Sequence, residues 1–291
     1  MKRKLIVLFS GIFLVLVLTT AASADSGPKP SVRVTFENMG EEVCYGTLLS
    51  LTDSTGPSSA WDGTEHNRPN LDEEEKRIWR AFVDYEDVDG YYFLQEWWPC
   101  SETKTLDWTY YPPRSFKVLL YYPEEERFAV SGVQERYAFD SYFTVDLARN
   151  DAMSIKELHV EKSYDYAEEL ISLAARIVLT IALELAVALL FFRRWAQLLR
   201  LIALVNIVTQ VGLNVALNII NYQSGLYAFF FWYFVLELLV FAVEAVVYCS
   251  FASRAAARRI GKGRCIAYAL TANVFSFIVG LLLAKLLPGI F

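Results

Sequence analysis

Long apolar runs separated by short polar loops fill the C-terminal part of the chain, and shorter alternating runs fill the part before it. The long runs are about Leu170–Phe192, Leu201–Ile220, Leu226–Phe251 and Ile266–Leu287. Each approaches the ~20 residues with which a helix crosses ~30 Å of hydrocarbon, so the pattern predicts four transmembrane helices. Basic residues punctuate alternate loops: Arg193, Arg194 and Arg200 follow the first run, and Arg254, Arg258, Arg259, Lys262 and Arg264 follow the third. Asn221–Gly225, between the second and third, has none. Basic loops stay cytoplasmic. The expected topology is therefore multi-pass in a cell membrane, with the residues before the first span and the C-terminus both outside the cytoplasm.

The earlier runs follow the two-residue period of strands. Ser31–Glu37 sets Val32, Val34 and Phe36 against Arg33, Thr35 and Glu37. Phe143, Val145 and Leu147 repeat the period, and Lys156, Leu158 and Val160 do so more weakly. Ser115–Tyr122 and Arg127–Ser131 flank Pro123-Glu124-Glu125-Glu126 as a hairpin. One helix is expected where Asn70 and Glu73 make a capping box before the stripe Ile78, Trp79, Phe82 and Val83. The polar stretch Thr52–Asn70 before it reads as a loop. The fold class expected is α+β and multi-domain. An antiparallel β-sandwich with one short helix spans residues 25–165, and a four-helix transmembrane bundle spans 166–291. The order Cys44, Trp61 or Trp79, Cys100 hints at an immunoglobulin-like core.

The N-terminus fits this orientation. Lys2, Arg3 and Lys4 precede the apolar run Leu5–Leu18, and Ala22-Ser23-Ala24 has the small-x-small form of a cleavage site. Residues 1–24 therefore read as a secretory signal peptide, the alternative being an uncleaved anchor that adds a fifth span. Residues 25–165 carry 28 acidic and 14 basic side chains, a net −14, which disfavours nucleic acid and anionic lipid headgroups as ligands. Cys44 and Cys100 are the two cysteines of that exported stretch. A disulfide between them is expected, closing a long loop and stabilising by ~4 kcal/mol. Cys249 and Cys265 lie at cytoplasmic helix ends and are expected to stay reduced.

Little in the sequence points to catalysis. The two histidines, His66 and His159, both lie outside the apolar runs, and no nucleophile elbow, zinc helix or phosphate loop occurs. The expectation is no enzyme and no cofactor or metal. Tyr91 to Tyr111 is dense in aromatics, and Trp97, Trp98, Trp108 and Tyr110 are a candidate platform for a glycan, peptide or protein ligand. The rival reading places the same rings in the core or at the membrane surface. Adjacent strand positions point to opposite faces, so Trp97 and Trp98 should differ in burial.

The apolar runs hold polar residues at helical spacing. Arg176, Thr180 and Glu184 recur every four residues, as do Asn206, Gln210, Asn214 and Asn218. Glu237 and Glu244 share a face, and Ala269, Asn273, Ser276, Gly280 and Ala284 make a small-residue face. Ionisable groups at this depth turn to the bundle interior, so Glu184, Asn206, Gln210, Asn214, Glu237, Glu244 and Asn273 are expected to form one intramembrane cluster. At a rise of ~1.5 Å per residue, Arg176 is level with Asn214 or Asn218. The cluster is either amide–carboxyl bonding that fixes helix order or a proton or cation path.

The runs Val205-Asn206-Ile207-Val208-Thr209-Gln210 and Ala272-Asn273-Val274-Phe275-Ser276-Phe277, with Glu237 and Glu244 between them, resemble a set of small exported bacterial membrane proteins with a four-helix C-terminal membrane domain. The resemblance covers the membrane segment alone and implies no activity. Two functions are consistent with the sequence. The first is a non-enzymatic, membrane-anchored extracytoplasmic binding or sensor protein, its partners the lipid bilayer, an outer ligand and a second copy of itself. The second is a small proton- or cation-linked transporter or channel subunit built on the intramembrane glutamates.

Overall fold

A computed structural model describes residues 27–64, 71–149, 157–192 and 195–286. The expected signal peptide and Asn70 lie outside them. The first part of the chain forms β1 (Ser31–Glu37), β2 (Tyr45–Ser50), β3 (Ser54–Thr55), β4 (Ser58–Ser59), helix α1 (Glu73–Val83), β5 (Trp98–Pro99), β6 (Thr105–Trp108), β7 (Ser115–Tyr122), β8 (Arg127–Ser131), β9 (Gln134–Glu135), β10 (Asp140–Asp146), β11 (Glu157–Leu158) and β12 (Val160–Lys162). A four-stranded sheet runs β12-β10-β1-β6, and a larger one runs β11-β8-β7-β2-β5 with β9 also on β7.

Both sheets are mixed. β1 pairs with β10 in parallel, Ser31 opposite Asp140, and β11 pairs with β8 in parallel. The all-antiparallel sandwich expected from strand spacing is thus corrected, because spacing carries no information on strand direction. The β7–β8 hairpin forms as expected, with Tyr122 opposite Arg127. Leu158 and Val160 do not share a strand: β11 and β12 join different sheets.

The apolar face of β1 (Val32, Val34 and Phe36) shares a buried cluster with Leu48, Phe116, Val118 and Leu120 of the larger sheet. The other face of that sheet is covered by α1, where Ile78, Trp79 and Phe82 meet Leu49, Leu119 and Tyr121. Two covered faces explain why β7 reads as a continuous apolar run instead of an alternation. The capping box of α1 forms two residues later than expected. The Asp72 carboxylate accepts from Glu75 N at 2.8 Å, and the Glu75 carboxylate accepts from Asp72 N at 3.1 Å. Leu71 thus stays in the loop, and Asp72 does the capping.

The disulfide expectation also needs correction. Cys44 and Cys100 are both free thiols, fully buried. They stand opposite one another at the continuation of the β2–β5 register, and Cys100 N donates to Cys44 O at 2.9 Å. Their sulfurs face separate carbonyls, those of Tyr45 at 3.9 Å and Trp98 at 3.4 Å. Trp61 and Trp79 pack in the α1 cluster, away from both cysteines, so the Cys–Trp core expected with either of them does not form; Trp98 and Trp108 pack in the cysteines' cluster instead.

Three helices follow: α2 (Tyr166–Phe192), α3 (Ala196–Ala255) and α4 (Lys262–Leu286). All three are long and apolar enough to cross a membrane. Their outward faces are apolar, and their interior mixes buried apolar side chains such as Phe192, Leu198 and Ile202 with the buried polar ones: Leu190 is 82% exposed while Glu184 is fully buried. Apolar-out packing on this scale suits lipid and is foreign to a water-facing bundle.

The 60 residues of α3 contain one break, Gly225, with φ 77° and ψ 179°. Thr209 Oγ1 donates to Glu244 Oε1 at 2.9 Å across this break. In an unbroken helix these residues stand roughly 52 Å apart, so α3 folds back on itself at Gly225. Helical structure runs through Asn221–Ser224, which the sequence pattern reads as loop. Only glycine occupies this backbone region without strain. A methyl group there also meets the Phe139 ring at 2.5 Å. The reversal is pinned to the β region by Phe139 N, which donates to Tyr222 O at 2.8 Å.

Candidate binding cavity at the head of the helices

Four helical stretches meet around the polar residues: α2, the two arms of α3, and α4. Glu244, fully buried, accepts from Thr209 Oγ1 and, at 2.8 Å, from Asn273 Nδ2. Asn206 Oδ1 accepts from the Tyr248 hydroxyl at 3.0 Å. Gln210 Nε2 reaches Glu184 Oε1 at 3.5 Å, and Asn214 Nδ2 donates to Gln210 O at 2.9 Å. Asn273 Nδ2 also donates to the Ala269 carbonyl at 2.9 Å, and Ser276 lies buried beside it. The small side chains of α4 are what admit this approach. Glu184, Asn206, Gln210, Asn214, Glu244 and Asn273 are thereby brought into one interior.

Glu237 adjoins that interior. It lines a small cavity of about 50 Å³ with Arg176, Thr180, Gln210, Asn214 and Tyr233, and its Oε2 is buried without a hydrogen-bond partner. Such a space holds water-sized groups only.

Above it, where the β region meets the helices, lies a cavity of about 540 Å³. Its lining includes Asp165 and Glu168, both exposed and so at its mouth, with the half-buried Glu169 and with Ser163 and Tyr164 just before them. Its wall includes Tyr142 of β10 and Asn221 and Phe229 on either side of the α3 reversal. At its inner end stands the half-buried Arg176, which also lines the small cavity; its Nη2 donates to Asn218 Oδ1 at 2.8 Å while its Nε is buried without a partner. Arg176 and Phe229 line both cavities.

Tyrosines brace the junction. Tyr164 packs on Tyr166 at 4.8 Å, on Tyr222 at 5.3 Å and on Tyr142 at 6.2 Å between ring centres. Tyr137 donates through its hydroxyl to Tyr142 O at 2.7 Å. Burial pushes the Tyr137 phenol up to about 12. Burial and a hydrogen bond to Glu169 raise Tyr164 above the ordinary phenol range. Both therefore remain neutral hydrogen-bonding groups at neutral pH.

The four candidate platform aromatics do not share a surface. Trp108 is buried against Trp98, ring centres 5.4 Å apart, in the cluster between the sheets. Trp97 packs on Phe93 in the α1 cluster. Tyr110 is exposed and lies edge-on to Tyr111. Trp97 and Trp98 thus serve opposite sides of the sheet, as adjacent positions do, but both are half-buried.

Periodicity identified Arg176 and the amides but not the cavity. It draws together β10, the stretch before α2 and the α3 turn, which are distant in sequence. The one local signal was Tyr164-Asp165-Tyr166 with Glu168 and Glu169 directly ahead of an apolar run. Compared with protein families, with curated proteins and with solved structures, the chain matches none.

Proposed function

We propose that this protein is a membrane-anchored, extracytoplasmic binding protein that receives a small polar ligand in the cavity at the head of its helices. In this reading α2, the two arms of α3, and α4 are four spans, and the β region stands outside the cytoplasm with its residues packed as a two-sheet sandwich. The single observation that carries the proposal is the 540 Å³ cavity with an ionic lining. That volume is in the range of small-molecule sites, and it lies where two structural units meet. Residues of β10, α2 and α3 set its walls, which suits binding.

Asn221→Trp fills the cavity from its wall and is the test. Purified wild-type and variant protein in detergent are titrated with a panel of amino acids, phosphorylated amines and sugars. Thermal stabilisation of the wild type by at least one compound, absent in the variant, is expected. Stabilisation that is equal in both overturns the proposal.

Transport along the glutamates is the second reading, favoured by the unpartnered Oε2 of Glu237 beside its cavity. Two features weigh against it. Arg176 lines both cavities, so a cation passing from the mouth to Glu237 meets a fixed positive charge. Glu244 is closed on Thr209 and Asn273, not open to a path. Reconstituted vesicles should accordingly show no proton or cation flux above that of protein-free vesicles. A flux abolished by Glu237→Gln reverses the ranking.

A further inference from the structure

The charges of this cavity are ordered by depth. Asp165 and Glu168 are exposed at the mouth, Glu169 is half-buried, and Arg176, further along α2, is half-buried and also lines the small cavity beside Glu237. Glu169 and Arg176 share a face of α2, about 10 Å apart along its axis. The Arg176 guanidinium is held in place by Asn218, yet its Nε donor has no acceptor.

A simple cation suits the mouth but leaves the Arg176 donor unused and adds a like charge above it. A simple anion suits Arg176 but must pass three carboxylates. A molecule with an ammonium at one end and a phosphate or carboxylate at the other answers both sets of groups. Guanidinium is the side chain best shaped for such an anionic group.

Resting on the cavity as the binding site, we infer that the ligand is a zwitterion, its acidic group on Arg176 and its ammonium among Asp165, Glu168 and Glu169. Tyr164 lines the cavity with Glu169, and burial and that neighbouring carboxylate hold its phenol above the ordinary range. Two sources present this chemistry: a soluble amino acid or phosphorylated amine, and the headgroup of an aminophospholipid entering from the adjoining leaflet.

The experiment uses the full chain, delipidated in detergent, with phosphoethanolamine and glycine as zwitterions and ethanolamine and inorganic phosphate as half-ligands. One zwitterion should bind at least about tenfold more tightly than either half-ligand, as expected when two charge-assisted contacts act together. Arg176→Gln should reduce the zwitterion to the affinity of ethanolamine. Glu168→Gln should weaken the zwitterion and leave phosphate unchanged or stronger. Glu168 is exposed, so its neutralisation tests the idea even if Arg176→Gln fails to fold. A second arm compares melting in nanodiscs of phosphatidylethanolamine and of phosphatidylglycerol. Stabilisation by the former alone, without binding of the soluble probes, assigns the lipid as the source. A half-ligand that binds as tightly as the zwitterions overturns the inference and leaves the cavity as the site. Failure of every probe and of both lipids overturns the zwitterion. If Asn221→Trp also blocks no compound of the wider panel, the binding reading falls with it.

Discussion

Glu244 has one donor on each carboxyl oxygen, so two substitutions separate its shape from its bonding. Gln keeps an acceptor for Thr209 but turns a second donor toward Asn273, whose amide can rotate only by giving up its bond to Ala269. Glu244→Gln should cost less than about 1 kcal/mol. Glu244→Leu strands both donors and should cost about 1–3 kcal/mol. Melting in detergent measures both, and equal losses contradict this bonding. At the other end of the chain, burial pushes the Cys44 thiol from 9.0 up to about 12. The folded state therefore keeps a proton that the unfolded chain releases above pH 9.0. This contribution to stability is complete below that pH and is lost as pH rises toward 12. Cys44 should resist alkylation at pH ~8 until denaturant is added, since the thiolate is the reactive form. Rapid labelling of native protein would show that the β core is open.

The turn of α3 depends on one residue. Gly225→Ala places a methyl in a glycine-only backbone region and against the Phe139 ring, and should cost about 1–3 kcal/mol or more. Gly212 is the control: it is exposed on the first arm with nothing near its Cβ position, so Gly212→Ala should be neutral or stabilising by up to ~1 kcal/mol. Equal melting of the two variants argues against the fold-back. At this scale the sequence was most legible where a period repeats. The apolar runs foretold long helices, and the Val32, Val34, Phe36 alternation foretold β1. Strand direction was not legible, because a two-residue period is the same for parallel and antiparallel neighbours. The reversal of α3 was legible as a gap in hydropathy and charge, but not as a single glycine, because the hydrogen bond from Phe139 N to Tyr222 O that pins it joins residues distant in sequence. The Trp97, Trp98, Trp108 and Tyr110 grouping failed for a related reason. Density of aromatics along a chain does not say which side of a sheet each ring serves, and α1 gave Trp97 a core of its own.

For the whole molecule, Phe139 and Tyr222 tie the β region to the reversal of α3, so the two lie on the same side of any membrane that the helices cross. The stretch from Arg254 to Arg264 lies a full helix length from that reversal and carries the basic charge. In the proposed orientation the acidic β region and the cavity mouth face outward, and the basic stretch faces the cytoplasm. The cavity is then filled from outside, and Arg176 is the deepest group a ligand meets. The most direct measurement is labelling of intact cells with a membrane-impermeant maleimide after single substitutions Ser163→Cys, Gln223→Cys and Lys262→Cys. Ser163 and Gln223 are exposed, at the cavity mouth and beside the reversal. Those two positions should label without lysis, and position 262 only after lysis. Labelling of 262 from the same side as 223, or protection of 163 in intact cells, would contradict an outward-facing cavity at the head of four spans.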